Sequence, residues 1–363
     1  MMKKYCPVIV MLIMTVTGCM LGVKVGNGGS SFYPRFAYVT NYKDNTVSVF
    51  AVNATTGRLT MISTVAAGTS PVSITADPSG KYAYVANNDG GNISQYTIGT
   101  AGELTAMSTP TITAGILPVS VTVDPSGKYA YVANVSSRNV SQYTIGTTGA
   151  LTAMSTPTVS EARGPVFVAV DPTGKYAYVA SVGGGYVSQY TIGTTGALSA
   201  MATPTIAAGK YPISITIDPS GKYAYVANTG SGNISQYTIG TNGALSPMSP
   251  ATVGAESEPC SIAVEPSGKY AYVANGRSNN VSQYTIGTNG ALSPMSPATV
   301  TAESQPYSIT VDPSGKYVYV TNAVSNTVSQ YTIGTNGALS PMSPATVTAG
   351  TYPASIIIVG SYR

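Results

Sequence analysis

The chain has 363 residues, of which 8% are charged, with a formal net charge of +4, no histidine, no tryptophan and three cysteines. The missing histidine excludes Ser-His-Asp and Cys-His catalysis, every histidine metal site and the usual general base near neutral pH. The sparse charge forms no basic stripe, which argues against a nucleic-acid partner.

In chain order, residues 1–18 read as an export signal. Lys3 and Lys4 precede an apolar run too short to act as a membrane-spanning anchor. Without those two lysines the net charge falls from +4 to about +2. Residues 19–32 follow as a tether, Gly-rich from Gly22 to Ser31, with a flexible reach on the order of 20 Å.

From residue 33 onward a 47-residue unit repeats without drift. Its marker is an acid, followed by Pro-Ser/Thr-Gly-Lys-Tyr, at Asp77, Asp124, Asp171, Asp218, Glu265 and Asp312. A strict period of this length signals one supersecondary unit laid side by side. In the unit that starts at Pro71, Pro71-Val-Ser-Ile-Thr-Ala76 predicts a strand, and Asp77-Pro-Ser-Gly-Lys81 a turn. Tyr82-Ala-Tyr-Val-Ala86 and Asn92-Ile-Ser-Gln-Tyr-Thr-Ile98 predict two further strands. A fourth runs from Leu104 to about Ile112, with Pro110 suited to an edge. No helix is predicted. Four short antiparallel strands per unit read as one blade of a β-propeller.

The Tyr-x-Tyr strand, with Phe36 opening its first copy, occurs seven times, so the expected fold is an all-β, seven-bladed propeller over 33–363. The first copy lacks a leading Pro-x-Ser-Ile strand, and Pro353-Ala-Ser-Ile-Ile-Ile358 is left over at the end. That last strand is expected to complete blade one and close the ring, which removes two open edges. The repeat tyrosines are expected to be core. Cys260 replaces Val72, Val119, Val166 and Ile213 of other copies and is likewise expected as a small core residue.

Two resemblances follow from these residues. Val16-Thr-Gly-Cys19 resembles the lipobox of bacterial lipoproteins, which implies cleavage before Cys19, lipid attachment to it and membrane contact through that anchor alone. Met20 implies outer-membrane sorting in a cell with two membranes. Tyr38-Val-Thr-Asn41 and Tyr319-Val-Thr-Asn322 resemble the Tyr-Val-Thr-Asn repeat propellers of cell-surface proteins. The blades also resemble the seven-bladed lactonase family, which includes 6-phosphogluconolactonases. That family carries a Pro-His-x-His stretch and a strand ending in Asp-Leu-Gly-x-Asp. In this chain Val166 and Val168 stand at the histidine positions, and Ser181 and Gly185 at the acidic ones. Lactone hydrolysis needs a proton acceptor and an oxyanion stabiliser, and neither is found at those four positions.

Copies differ most in the loops entering each innermost strand and in those after Tyr-Val-Ala-Asn. Arg138, Arg163 and Lys210 are expected to form a basic arc, and Glu256, Glu258 and Glu303 an acidic arc across the ring. Tyr211, Tyr307 and Tyr352 are expected near the channel mouth, with Arg277 and Asp89 in the second loop set. The functional expectation is a non-catalytic extracytoplasmic binding or surface scaffold that meets an envelope protein, peptide or glycan through this face. The alternative is a lactonase-like hydrolase with a diverged, histidine-free site. No cofactor and no metal are expected.

Overall fold

The computed structural model describes residues 10–16, 19–25, 32–161 and 163–362, and within these the side chains from 35 to 360. The expected leader and tether therefore fall partly outside the described residues. Val10–Val16 and Cys19–Val25 pair as a two-stranded antiparallel sheet of their own, which lies against innermost strands of several blades. Cleavage and lipidation at Cys19 are covalent events that this backbone does not report.

Seven four-stranded antiparallel sheets form a ring, and no helix occurs among the described residues. Blade two shows the pattern: Pro71–Ala76 innermost, then Tyr82–Asn87, Asn92–Ile98 and Leu104–Thr113 outermost. The inner three strands are buried on both faces because the neighbouring blades cover them, whereas the outermost strand is largely exposed. Blade one is made from both ends of the propeller. Pro353–Tyr362 pairs antiparallel with Phe32–Asn41, Val39 opposite Ile356.

The residues kept in each copy are those that tie one blade to the next. The second tyrosine of Tyr-x-Tyr is buried and donates its hydroxyl to a glycine carbonyl in the following blade, as Tyr84 does to Gly149 at 2.6 Å. The last such bond, from Tyr319 to Gly57, returns to blade one at 2.5 Å and closes the circuit. The repeat glutamine does similar work: Gln95 Oε1 accepts from the Leu151 amide at 2.7 Å. Gly149 must be glycine, since its φ is +82° and an added Cβ would lie 2.3 Å from the Tyr82 ring.

The acid-Pro turns gather on the underside. Asp124 accepts from the amides of Ser126 (3.0 Å), Lys128 (2.8 Å) and Tyr129 (2.7 Å), and from the Ser126 hydroxyl (2.5 Å). The acid is thus matched by backbone donors, and the backbone amide of each turn lysine makes that contact. The loops entering the innermost strands and those following Tyr-Val-Ala-Asn share the opposite face, here called the rim.

Candidate functional site

The central channel is built by one repeat position. Val72, Val119, Val166, Ile213, Cys260, Tyr307 and Ala354 are each 47 residues apart, and all line a cavity of about 590 Å³. This corrects the expectation for Cys260, whose side chain faces the channel wall and not the packed core. Its Sγ donates to the Glu258 carbonyl at 3.2 Å. Burial pushes its thiol pKa up to about 11, opposed by a backbone bond from Gly276 and reinforced by nearby Glu258.

The channel has two unlike halves. Blades three to five contribute Val119, Val166, Phe167 and Ile213. Opposite them, blades one, two, six and seven contribute Tyr42, Lys43, Asn88, Cys260, Tyr307 and Tyr352, together with the small apolar Val72 and Ala354. Phe167 stands where the other copies carry Ser73, Ser120, Ser214, Ser261, Ser308 and Ser355, so within the apolar half this one side chain departs from the repeat.

On the polar half, Lys43 Nζ lies 5.3 Å from the centre of the Tyr352 ring, and the Tyr42 and Tyr352 rings are 5.8 Å apart. These cation–π and tilted ring contacts fix three side chains around one opening. The Tyr42 hydroxyl donates toward Asp89 at 3.5 Å, and Asp89 also accepts from the Ser70 hydroxyl at 2.6 Å. Tyr307 keeps 39% of its surface open to the channel. Protein nevertheless surrounds it, and this burial pushes its hydroxyl pKa up to about 12, with Cys260, Tyr352 and Tyr42 adding to the shift. It therefore stays a protonated hydrogen-bond donor at neutral pH.

Of the expected site residues, Tyr307 and Tyr352 meet at the channel mouth. Tyr211 does not line it; it is 59% exposed and sits over Gly230, where an added Cβ would lie 2.4 Å from its ring. Arg138 and Arg163 share a separate rim cleft whose lining does not include Lys210. Arg277 pairs loosely with Glu258, at 3.8 Å between exposed groups. Glu256 and Glu303 are exposed and stand where other copies have glycine, such as Gly68 and Gly115. The Gly68 amide donates to the Asn87 side chain at 3.1 Å, and a Cβ at Gly68 would lie 2.5 Å from that side chain. The two glutamates therefore displace the loop. The matching Asn275 and Asn322 Oδ1 atoms are buried without a partner, which is a destabilising arrangement.

Sequence reading missed Tyr42, Lys43 and Phe167 at the channel, and it missed Glu161. Glu161 replaces an alanine found in all six other copies, and its amide follows Arg138 in the rim. Its carboxylate is 4% exposed and accepts from Tyr190 (2.5 Å), Ser188 (2.9 Å) and Ser181 (3.3 Å). Burial raises its pKa, and the three hydroxyl bonds oppose the rise. Ser181 occupies one of the positions that the family resemblance makes acidic. A carboxylate thus returns to that place from the loop that follows Leu151–Ser160. The available signal was the comparison of copies, in which Ala→Glu at 161 and Asn→Ser at 181 change together within blade four.

The comparisons with known proteins agree on the architecture. The family model described as Lactonase, 7-bladed beta-propeller, matches residues 36–354. A candidate 6-phosphogluconolactonase from Bacteroides fragilis superposes with a TM-score of 0.80 at 21% identity, covering 92% of this chain and 99% of that one. Another from Bacteroides uniformis gives 0.81 at 19%, covering 90% and 100%. A periplasmic gluconolactonase from Pseudomonas aeruginosa gives 0.77 at 18%, covering 91% and 99%. No curated protein matches the chain. The match to the lactonase family model overturns the expected non-catalytic scaffold and supports the lactonase-like alternative better. With the family model matched over nearly the whole propeller, this chain belongs to the seven-bladed β-propeller lactonase family.

Proposed function

We propose that the chain is a hydrolase of cyclic esters, with its site at the channel mouth. The observation that carries this reading is a family channel with one apolar wall and one wall of hydrogen-bond donors. The ring of a lactone rests against Val119, Val166 and Phe167. Its carbonyl faces Lys43 and Tyr307, both donors. Water attacks the carbonyl carbon, and the developing oxyanion is stabilised by the Lys43 ammonium and the Tyr307 hydroxyl. The water proton passes through the Tyr42 hydroxyl to Asp89, 3.5 Å away. Collapse breaks the bond to the ring oxygen, which takes a proton and leaves a hydroxy acid.

This placement moves the polar chemistry across the channel from blade four, where Val166 and Val168 stand at the histidine positions, to blades one, two and seven. We also propose export and lipid anchoring at Cys19. Cys19→Ser should release the protein from the membrane fraction.

The functional test is a panel of sugar and aliphatic lactones with acid release as the readout. Turnover above the uncatalysed rate is expected, with loss in Tyr307→Phe and Lys43→Met. No turnover, or turnover indifferent to both substitutions, would refute the channel-mouth assignment.

A further inference from the structure

Three departures from the repeat, Arg138, Glu161 and Ser181, fall in one stretch of the rim between blades three and four. Arg138 has a left-handed backbone, with φ of 52°, where the equivalent positions are Gly91, Gly185, Gly232, Asn45, Asn279 and Asn326. An arginine is strained there in a way that glycine is not and asparagine is less. Such strain persists only where the surroundings hold it, and it gathers at binding sites. The surroundings are visible here. The Arg138 carbonyl accepts from the Glu161 amide at 2.7 Å, and the Glu161 carboxylate is fixed beneath by three hydroxyls.

Two residues on, the Arg163 carbonyl accepts from the Gly183 amide at 3.2 Å. A Cβ at Gly183 would come within 3.3 Å of that oxygen, yet Ser136, Arg277 and Val324 make the same bond at 3.3 Å in other copies, so this loop contact belongs to the repeat. Arg138 and Arg163 then line one open cleft of about 550 Å³ with Ser136, Gly164 and Gly183. No carboxylate is among the lining residues, and the ion pair seen among the described residues, Arg277 with Glu258, lies elsewhere.

We infer that this cleft binds a small oxyanion, a phosphate or carboxylate group held between two guanidinium forks. Arginine presents paired donors that match both kinds of oxyanion. The cleft and the channel share no lining residue, so this site stands whether or not the channel hydrolyses lactones.

The test is calorimetric titration of the full-length chain with inorganic phosphate and, separately, with malonate. Saturable binding of one or both anions at a single site is expected. It should weaken about tenfold or more in Arg138→Asn and in Arg163→Thr, and stay unchanged in Lys210→Ala. Both replacements already occur at the equivalent positions, as Asn279 and Thr351, so the ring keeps its fold. A thermal midpoint that is unchanged or raised confirms this. Tighter phosphate binding marks a phosphate ester as the natural ligand, and tighter malonate binding a carboxylate. Failure of both anions to saturate, or binding unaffected by both arginine substitutions, overturns the site.

Discussion

The underside and the rim of this ring are made by the same repeat under opposite constraints. On the underside, each acid-Pro turn is nearly identical, and its carboxylate is satisfied by the amides two, four and, in most blades, five residues ahead. On the rim, equivalent positions hold Gly, Asn or Arg, and Ala or Glu. The rim also carries strained and unsatisfied groups. Non-glycine residues with positive φ recur there, among them Ser70, Leu117, Tyr211, Glu258, Gln305 and Tyr352, each just before the proline of an innermost strand. Asn275 and Asn322 have buried, unpartnered oxygens. The underside is where the fold is stabilised, and the rim is where some stability is given up for side-chain placement.

That contrast can be tested from the strongest effect to the weakest. At the channel, Tyr307→Phe or Lys43→Met should lower lactone turnover on the order of 10²–10³-fold, the usual cost of losing one oxyanion donor. Urea midpoints should barely move. On the underside, Asp124→Ala should do the reverse, destabilising by about 2–4 kcal/mol because it leaves several turn donors without their acceptor. Its lactone turnover, measured well below the melting point, should persist.

A pH series on Glu161 gives an intermediate effect. Its folded pKa lies above its usual 4.5 because of burial, so the folded chain holds the proton more tightly than the unfolded chain. Its contribution is fully present below the unfolded pKa and is lost as pH rises through the raised folded value. Stability should therefore decline with rising pH over that window, and Glu161→Gln should flatten the decline. Asp312, also raised by burial, contributes in the same direction and leaves a residual slope. A wild-type profile that rises over the same range would contradict this account.

The smallest effect is expected at the strained rim. Arg138→Asn should raise unfolding stability by roughly 0.5–1 kcal/mol, because asparagine tolerates the left-handed backbone better. An unchanged or lower midpoint would show that Arg138 makes compensating contacts in the free protein.

Much of the fold was legible because the period repeats local chemistry. Asp-Pro-Ser-Gly-Lys specifies a turn through proline, glycine and a side-chain acceptor, all within five residues. The spare Pro353–Ile358 segment and the missing first strand pointed to ring closure, and the strand pairing bears this out. The site was less legible. Tyr307 and Tyr352 were anticipated at the channel mouth, but Tyr42 and Lys43 come from a blade-one loop that looked like ordinary solvent-exposed sequence. Cys260 was misread as core, because a valine-like position predicts burial without saying whether a packed core or a channel wall provides it. Glu161 was overlooked because its partners Ser181, Ser188 and Tyr190 lie 20, 27 and 29 residues away.

By itself the sequence determined the number of blades, the strand order within each and the route of closure. Turn chemistry, strand patterning and the period act over tens of residues and repeat in every copy. Only the tertiary structure decided which single-copy departures meet. It set Phe167 opposite Tyr307, brought Lys43 over Tyr352, put Arg138 beside Arg163 and returned a carboxylate to Ser181. Those contacts depend on the distance and angle between blades, and ring closure settles them in space without leaving a periodic mark in the chain.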